Sequence, residues 1–202
     1  MSNSNGTTPS DVGNLPTRKA TPQEQELIDD VLTLYQLKPN HKAYSHYAAT
    51  AVFHDPVSIA NGLDSIKSQF NGMPVIFAES NTQGTYCSFP PRQTPSSLTS
   101  VKLECAVLAS STPSKLQLNL TQQYFFKSLV PFKAKGVEKV MNSKLTFNMN
   151  KEGLIEEHIE EWHHEKNQTG EDGWWGQIQE ARKKIDAKIV EATISTDPDR
   201  HN

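Results

Sequence analysis

Two periodicities divide the chain. In "TPQEQELIDDVLTLYQL", Leu27, Ile28, Val31, Leu32, Leu34 and Tyr35 fall on one helical face. Thr21 is placed to cap that helix, with Pro22 as its first residue and Glu24 as the capping-box partner. "KPN" ends it, and a short second helix is expected, carrying Tyr44 and Tyr47 at i, i+3. "TAVFHDP" then reads as a short strand. "GLDSIKSQFNG" reads as a third helix, with Leu63, Ile66 and Phe70 inward and Gly72 closing it.

Beyond the Pro-rich "SFPPRQTPSS" the period becomes two. "TSVKLECAVLAS" alternates with Val101, Leu103, Cys105 and Val107 on one face. "KLQLNLTQQYFF" does the same with Leu116, Leu118, Leu120, Gln122, Tyr124 and Phe126. "VMNSKLTFNMN" and "LIEEHIEEWHH" form two more strands, joined by a hairpin turn at "KEG".

Three helices followed by long strands on short loops predict an α+β domain. Strands of this length curl, and helices closing one side make a cone-shaped, curved, mixed or antiparallel sheet. A cone with one open end is a small-molecule pocket by geometry. "WWGQIQEARKKIDAKIVEA" predicts an extra C-terminal helix. The expected organisation is a disordered tail over 1–20, the domain over 21–166, the extra helix over 167–194 and a tail over 195–202.

Charge narrows the function. The 202 residues hold 20 Lys plus Arg against 23 Asp plus Glu, a formal charge of -3. Without a basic excess, neither nucleic acid nor an acidic membrane surface is an expected partner. The first 20 residues contain no apolar leader and no run reaches membrane-spanning length, so a cytoplasmic or nuclear location is expected. Cys87 and Cys105 form no CxxC and read as free thiols.

The segment "YAATAVFHDPVSIANGLDSI", with this order of elements, resembles the nuclear transport factor 2-like superfamily, which includes SnoaL-like polyketide cyclases and ketosteroid isomerases. The matching pattern is an aromatic-rich helix (here Tyr47), an apolar strand ending in Asp-Pro (Val52-Phe53-His54-Asp55-Pro56), and Gly62 opening the next helix. A second match is the closing strand "GLIEEHIEEWHHE" with its Trp near the end; the resemblance covers roughly residues 22–166, with these two short segments as its specific matches. The resemblance implies that Asp55 is a general base and Tyr35 an oxyanion donor. At the position of the second, acidic donor this chain carries Ser143. One missing donor removes about 3 kcal/mol of transition-state stabilisation, which argues against steroid-type isomerisation. The implied chemistry uses no cofactor.

Strand parity puts Glu156, His158, Glu160 and Trp162 on one face and Ile155, Glu157, Ile159 and Glu161 on the other. The resemblance turns the Trp162 face into the cone and leaves the isoleucines for an outer face or a homodimer contact. The expected site therefore holds Asp55, His158 and Tyr35 as catalytic groups, with Tyr47, Phe53, Glu160, Trp162 and Ser143 lining the substrate. The expected ligand is a small apolar molecule, bound or turned over by acid–base chemistry. The alternative is a non-catalytic dimeric module of the same fold. As a strand-turning residue, Asp55 would instead bond to nearby backbone N–H groups. His54, of opposite parity, reads as a surface residue. His158, Glu160 and His164 could ligate a metal, but His163 and His164 fall in a solvated turn, and no metal site is expected.

Overall fold

A computed structural model describes residues 16–84, 106–127 and 138–162. The expected C-terminal helix, both cysteines, and His163 and His164 lie outside the described residues.

Helix α1 (Pro22–Tyr35) begins with the expected capping box: Thr21 Oγ1 accepts from the Glu24 N–H, and Glu24 Oε2 accepts from the Thr21 N–H at 2.8 Å. Glu24 also receives both Arg18 terminal nitrogens, at 2.7 and 2.6 Å. That fork ties down strand β1 (Thr17–Lys19), which pairs antiparallel with β5 (Ala106–Leu108). Order therefore begins before Thr21. The stretch 1–20 looked structureless because strand pairing and a paired arginine, not apolar patterning, hold its last residues.

Helix α2 (His41–Ser45) is capped by Asn40 Oδ1, which accepts from the Ala43 N–H at 2.9 Å. It stops short of Tyr47, which instead opens β2 (Tyr47–Asp55) opposite Ile155. Pairing with a distant strand overrides the helical spacing of Tyr44 and Tyr47. Strand β2 turns directly into β3 (Ser58–Asn61) through Pro56 and Val57, with Asp55 opposite Ser58. Gly62, at φ +82°, then lets the chain enter α3 (Leu63–Ile76). Helix α3 runs past Gly72 and Pro74 rather than closing at Gly72. Met73 continues its apolar face against the core. The helix ends where Phe77 docks against Tyr124 and Phe126, with ring centroids 4.6 and 4.9 Å apart.

Strands β4 (Phe77–Gly84), β6 (Lys115–Phe126), β7 (Glu138–Met149) and β8 (Ile155–Trp162) complete a six-stranded sheet of order β3-β2-β8-β7-β6-β4. Its β2–β8 pair is parallel and the others are antiparallel. The result is the mostly antiparallel, curved α+β cone implied by the sequence resemblance. The β7–β8 turn is the expected one: Asn150 Oδ1 accepts from the N–H groups of Glu152 and Leu154, and Gly153 takes φ +79°.

Strand β4 carries no apolar alternation, and polar groups hold it instead. Buried Gln122 donates to Ser80 Oγ at 2.7 Å and accepts from Thr82 Oγ1 at 2.9 Å. Gln36, just past α1, donates to Thr82. Strand β8 departs from strict alternation at one point. Ile155 lies opposite Met149 and Glu157 opposite Asn148, so Glu156 is an extra residue in a β-bulge. Ile155 is consequently buried in the core and Glu156 exposed, the reverse of simple parity, so Ile155 belongs to no outer or dimer face. Beyond the bulge, His158, Glu160 and Trp162 point inward as expected. Among the described residues no helix is long and apolar enough to cross a membrane.

Candidate active site

Between α3 and the concave side of the sheet lies a cavity of about 440 Å³. Phe53, Phe70, Met73 and Trp162 give it an apolar wall, and Asp55, Gln69, Tyr124 and Glu160 bring polar groups to it. Three carboxylates, Asp55, Asp64 and Glu160, reach the lining, and no Lys, Arg or His among the described residues does.

Asp55 sits where β2 turns. Its Oδ1 accepts from the Val57 N–H at 2.8 Å and from Ser58 Oγ at 3.0 Å, and its Oδ2 accepts from Gln69 Nε2 at 3.0 Å. The Asp-Pro pair thus forms a turn in which Asp55 bonds the N–H two residues on, while Pro56 presets the next φ. It contributes a negative charge to the cavity from a position fixed by three donors.

Glu160 is held differently. Tyr35 Oη donates to its Oε2 at 3.1 Å. Burial raises its proton affinity most and the charge of Asp55 adds to that, while Ser143, Tyr35 and Trp162 oppose both as hydrogen-bond donors. The balance leaves the carboxyl pushed up to about 7. Such a group gives and takes protons at neutral pH.

Tyr124 reaches the cavity from β6 on the inward parity of that strand. Its hydroxyl has no hydrogen-bond partner among the described residues, although only 5 % of the residue is exposed. Burial, then the charges of Glu160 and Asp55, hold its ionisation well above the usual phenol range, so it stays a donor. The same causes apply to Tyr35: burial first, then Glu160.

The other expected site residues divide in two. Tyr35, Phe53, Glu160 and Trp162 share the cavity lining with Asp55. His158, Tyr47 and Ser143 stand behind it. His158 is 0 % exposed, packed edge-on against Phe53 and Phe147 at centroid distances of 4.7 and 4.6 Å. Burial depresses its proton affinity to about 3, so the ring is neutral at physiological pH. Its two nitrogens meet Tyr47 Oη at 2.8 Å and Tyr35 Oη at 3.0 Å. His158 therefore stands behind the lining, in contact with Tyr35, the hydrogen-bond partner of Glu160. Ser143, opposite Trp162 across the β7–β8 ladder, donates to Glu160 rather than to a ligand. His54 is exposed. Tyr124 and Gln69 escaped the sequence reading as site residues. The parity of β6 places Tyr124 inward, whereas nothing local marks Gln69. Among the described residues, no three His, Cys, Asp or Glu side chains are grouped to hold a metal ion.

No family model and no curated protein matches the chain. Among solved structures it is similar to two putative polyketide cyclases. One, from Pseudomonas putida, is 10% identical with a TM-score of 0.49, over 80% of this chain and 95% of that one. The other, from Silicibacter sp., is 9% identical with a TM-score of 0.48, over 76% and 95%. It is also similar to a nuclear transport factor 2-like protein of unknown function from Exiguobacterium sp., 11% identical with a TM-score of 0.45, over 67% and 97%.

Proposed function

We propose that the protein binds a small, uncharged, largely apolar molecule bearing a carbonyl, and moves a proton on it. Glu160 is the proton carrier and Tyr124 the donor to the carbonyl oxygen. The observation that supports this best is the pairing, in one apolar cavity, of a carboxyl pushed up to about 7 with a phenol that has no hydrogen-bond partner among the described residues. Three lining carboxylates, with no cation beside them among the described residues, disfavour carboxylate or phosphate ligands. The aromatic and aliphatic walls suit a ring system. Enolisation, and the isomerisation, dehydration or ring closure that follows from it, needs only these side chains. Asp55 is then not the base. Its charge adds to the burial that raises the proton affinity of Glu160, and it shapes the turn beside the cavity.

Isosteric probes test the reading. 2-Acetylnaphthalene should quench Trp162-dependent fluorescence in a saturable way, and 2-naphthoate should not at pH 8. In heavy water the protein should accelerate deuterium uptake at the methyl group of the bound ketone, and Glu160→Gln should abolish that acceleration. A second reading is binding without turnover, favoured by the three hydrogen bonds that commit Asp55 to its turn. Saturable ketone binding with no deuterium uptake would select it. Preference for the carboxylate would contradict both.

A further inference from the structure

Tyr47, His158, Tyr35 and Glu160 form one continuous hydrogen-bond chain, with links of 2.8, 3.0 and 3.1 Å. Each phenol carries one proton, and a neutral imidazole carries one N–H. With Glu160 Oε2 as acceptor, that count fixes the direction of the chain. Tyr35 spends its proton on Glu160 Oε2, so at its other contact it accepts, and His158 Nε2 must donate. Nδ1 is then the bare nitrogen, and Tyr47 donates to it. The inner end is closed: Tyr47 is 3 % exposed, and its hydroxyl has no further partner among the described residues. Burial holds its ionisation well above the usual phenol range, so it cannot release a proton into the chain.

We infer that His158 is a positioning residue: held by Tyr47 as the neutral Nε2–H tautomer, it makes Tyr35 a one-way donor to Glu160 Oε2 and confines the mobile proton of Glu160 to Oε1. The chain is not a proton conduit. Passing a proton inward would require Tyr35 to accept from Oε2 and donate to a nitrogen that already bears hydrogen. The inner end of the chain therefore offers the Glu160 proton no exit. Each link also polarises the next, so the Tyr47 hydroxyl strengthens a donor two residues away. This deepens the reading of Glu160 as the proton carrier and rests on it. The titratable groups around Glu160 are Asp55 from β2, Tyr35 from α1, Tyr124 from β6 and His158 from its own strand, with Asp64 of α3 lining the same cavity.

Long-range 1H–15N correlation spectra of the full chain test this without ligand or turnover. His158 should show one protonated nitrogen, Nε2, from pH 5.5 to 9, unchanged as Glu160 titrates. An Nδ1–H signal or an imidazolium appearing through the Glu160 transition would overturn the inference. Tyr47→Phe releases Nδ1, and the Glu160 midpoint, read by 13C carboxyl shifts, should rise by several tenths of a pH unit. Phe147→Leu, which loosens packing on the same ring from outside the cavity, should lower Tm and leave the midpoint in place. A midpoint equally unmoved by Tyr47→Phe would reduce His158 to a packing residue. Failure of the ketone to bind would sink the proposed function and leave these spectra interpretable.

Discussion

Asp55 and Glu160 line one cavity from strands more than a hundred residues apart in sequence, and the charge of Asp55 raises the proton affinity of Glu160. Three donors hold the first carboxylate, whereas burial dominates the second. In the proposed reading the two acidic groups divide the work: Asp55 supplies a charge beside the cavity and Glu160 handles the proton.

Removing the charge should expose that division. Asp55→Asn keeps the shape of the turn and should lower the Glu160 midpoint below 7, as read by 13C carboxyl titration. The loss of an acceptor for Gln69 should cost about 1 kcal/mol in urea unfolding. An unmoved midpoint would mean that burial alone sets Glu160.

Stability against pH carries a signature of the two buried titrating groups. The folded pKa of His158 lies below its unfolded value, falling from 6.5 to about 3, so its contribution is lost as pH falls through that window. The folded pKa of Glu160 lies above its unfolded value, rising from 4.5 to about 7, so its contribution is lost as pH rises through that window. Between pH 4.5 and 6.5 the slopes oppose, and the unfolding free energy should be nearly flat. Below 4.5 it should fall, with the Arg18-paired Glu24, depressed to about 2, adding to the loss. Glu160→Gln should turn the flat stretch into a rise of ~3 kcal/mol from pH 4.5 to 6.5. Urea titrations at pH 4.5, 5.5 and 6.5 check this, and a flat profile in the variant would contradict it.

Tyr124→Phe removes a hydroxyl that bonds no protein group among the described residues. Tm should hold within a degree or two. Affinity for 2-acetylnaphthalene should fall about fivefold to tenfold, as for one lost hydrogen bond. A large drop in Tm with unchanged affinity would assign the hydroxyl to the fold instead.

Much of the architecture was legible because apolar periodicity is a local property. The α1 face, the β6 alternation and the hairpin at Gly153 all follow from residues near one another in sequence. The elements that escaped depend on distant partners. Strand β4 is invisible because Ser80 and Thr82 satisfy Gln122 instead of burying apolar groups. Tyr47 reads as helical until β8 pairs with it, and Ile155 reads as outward until the bulge at Glu156 shifts the register. In the site, parity grouped His158, Glu160 and Trp162 on one face, and the family resemblance turned that face inward. It could not show that His158 stands behind Tyr35 while Glu160 faces the cavity. Proton affinity is set by burial and by charges brought together only in the fold, so the raised proton affinity of Glu160 could not be read from the sequence.

The most direct test is a 13C carboxyl titration of the ligand-free protein, with the Glu160 resonance assigned by its loss in Glu160→Gln. Glu160 should titrate with a midpoint near pH 7. A midpoint near 4.5, the value of a solvated glutamate, would leave the cavity without a proton carrier.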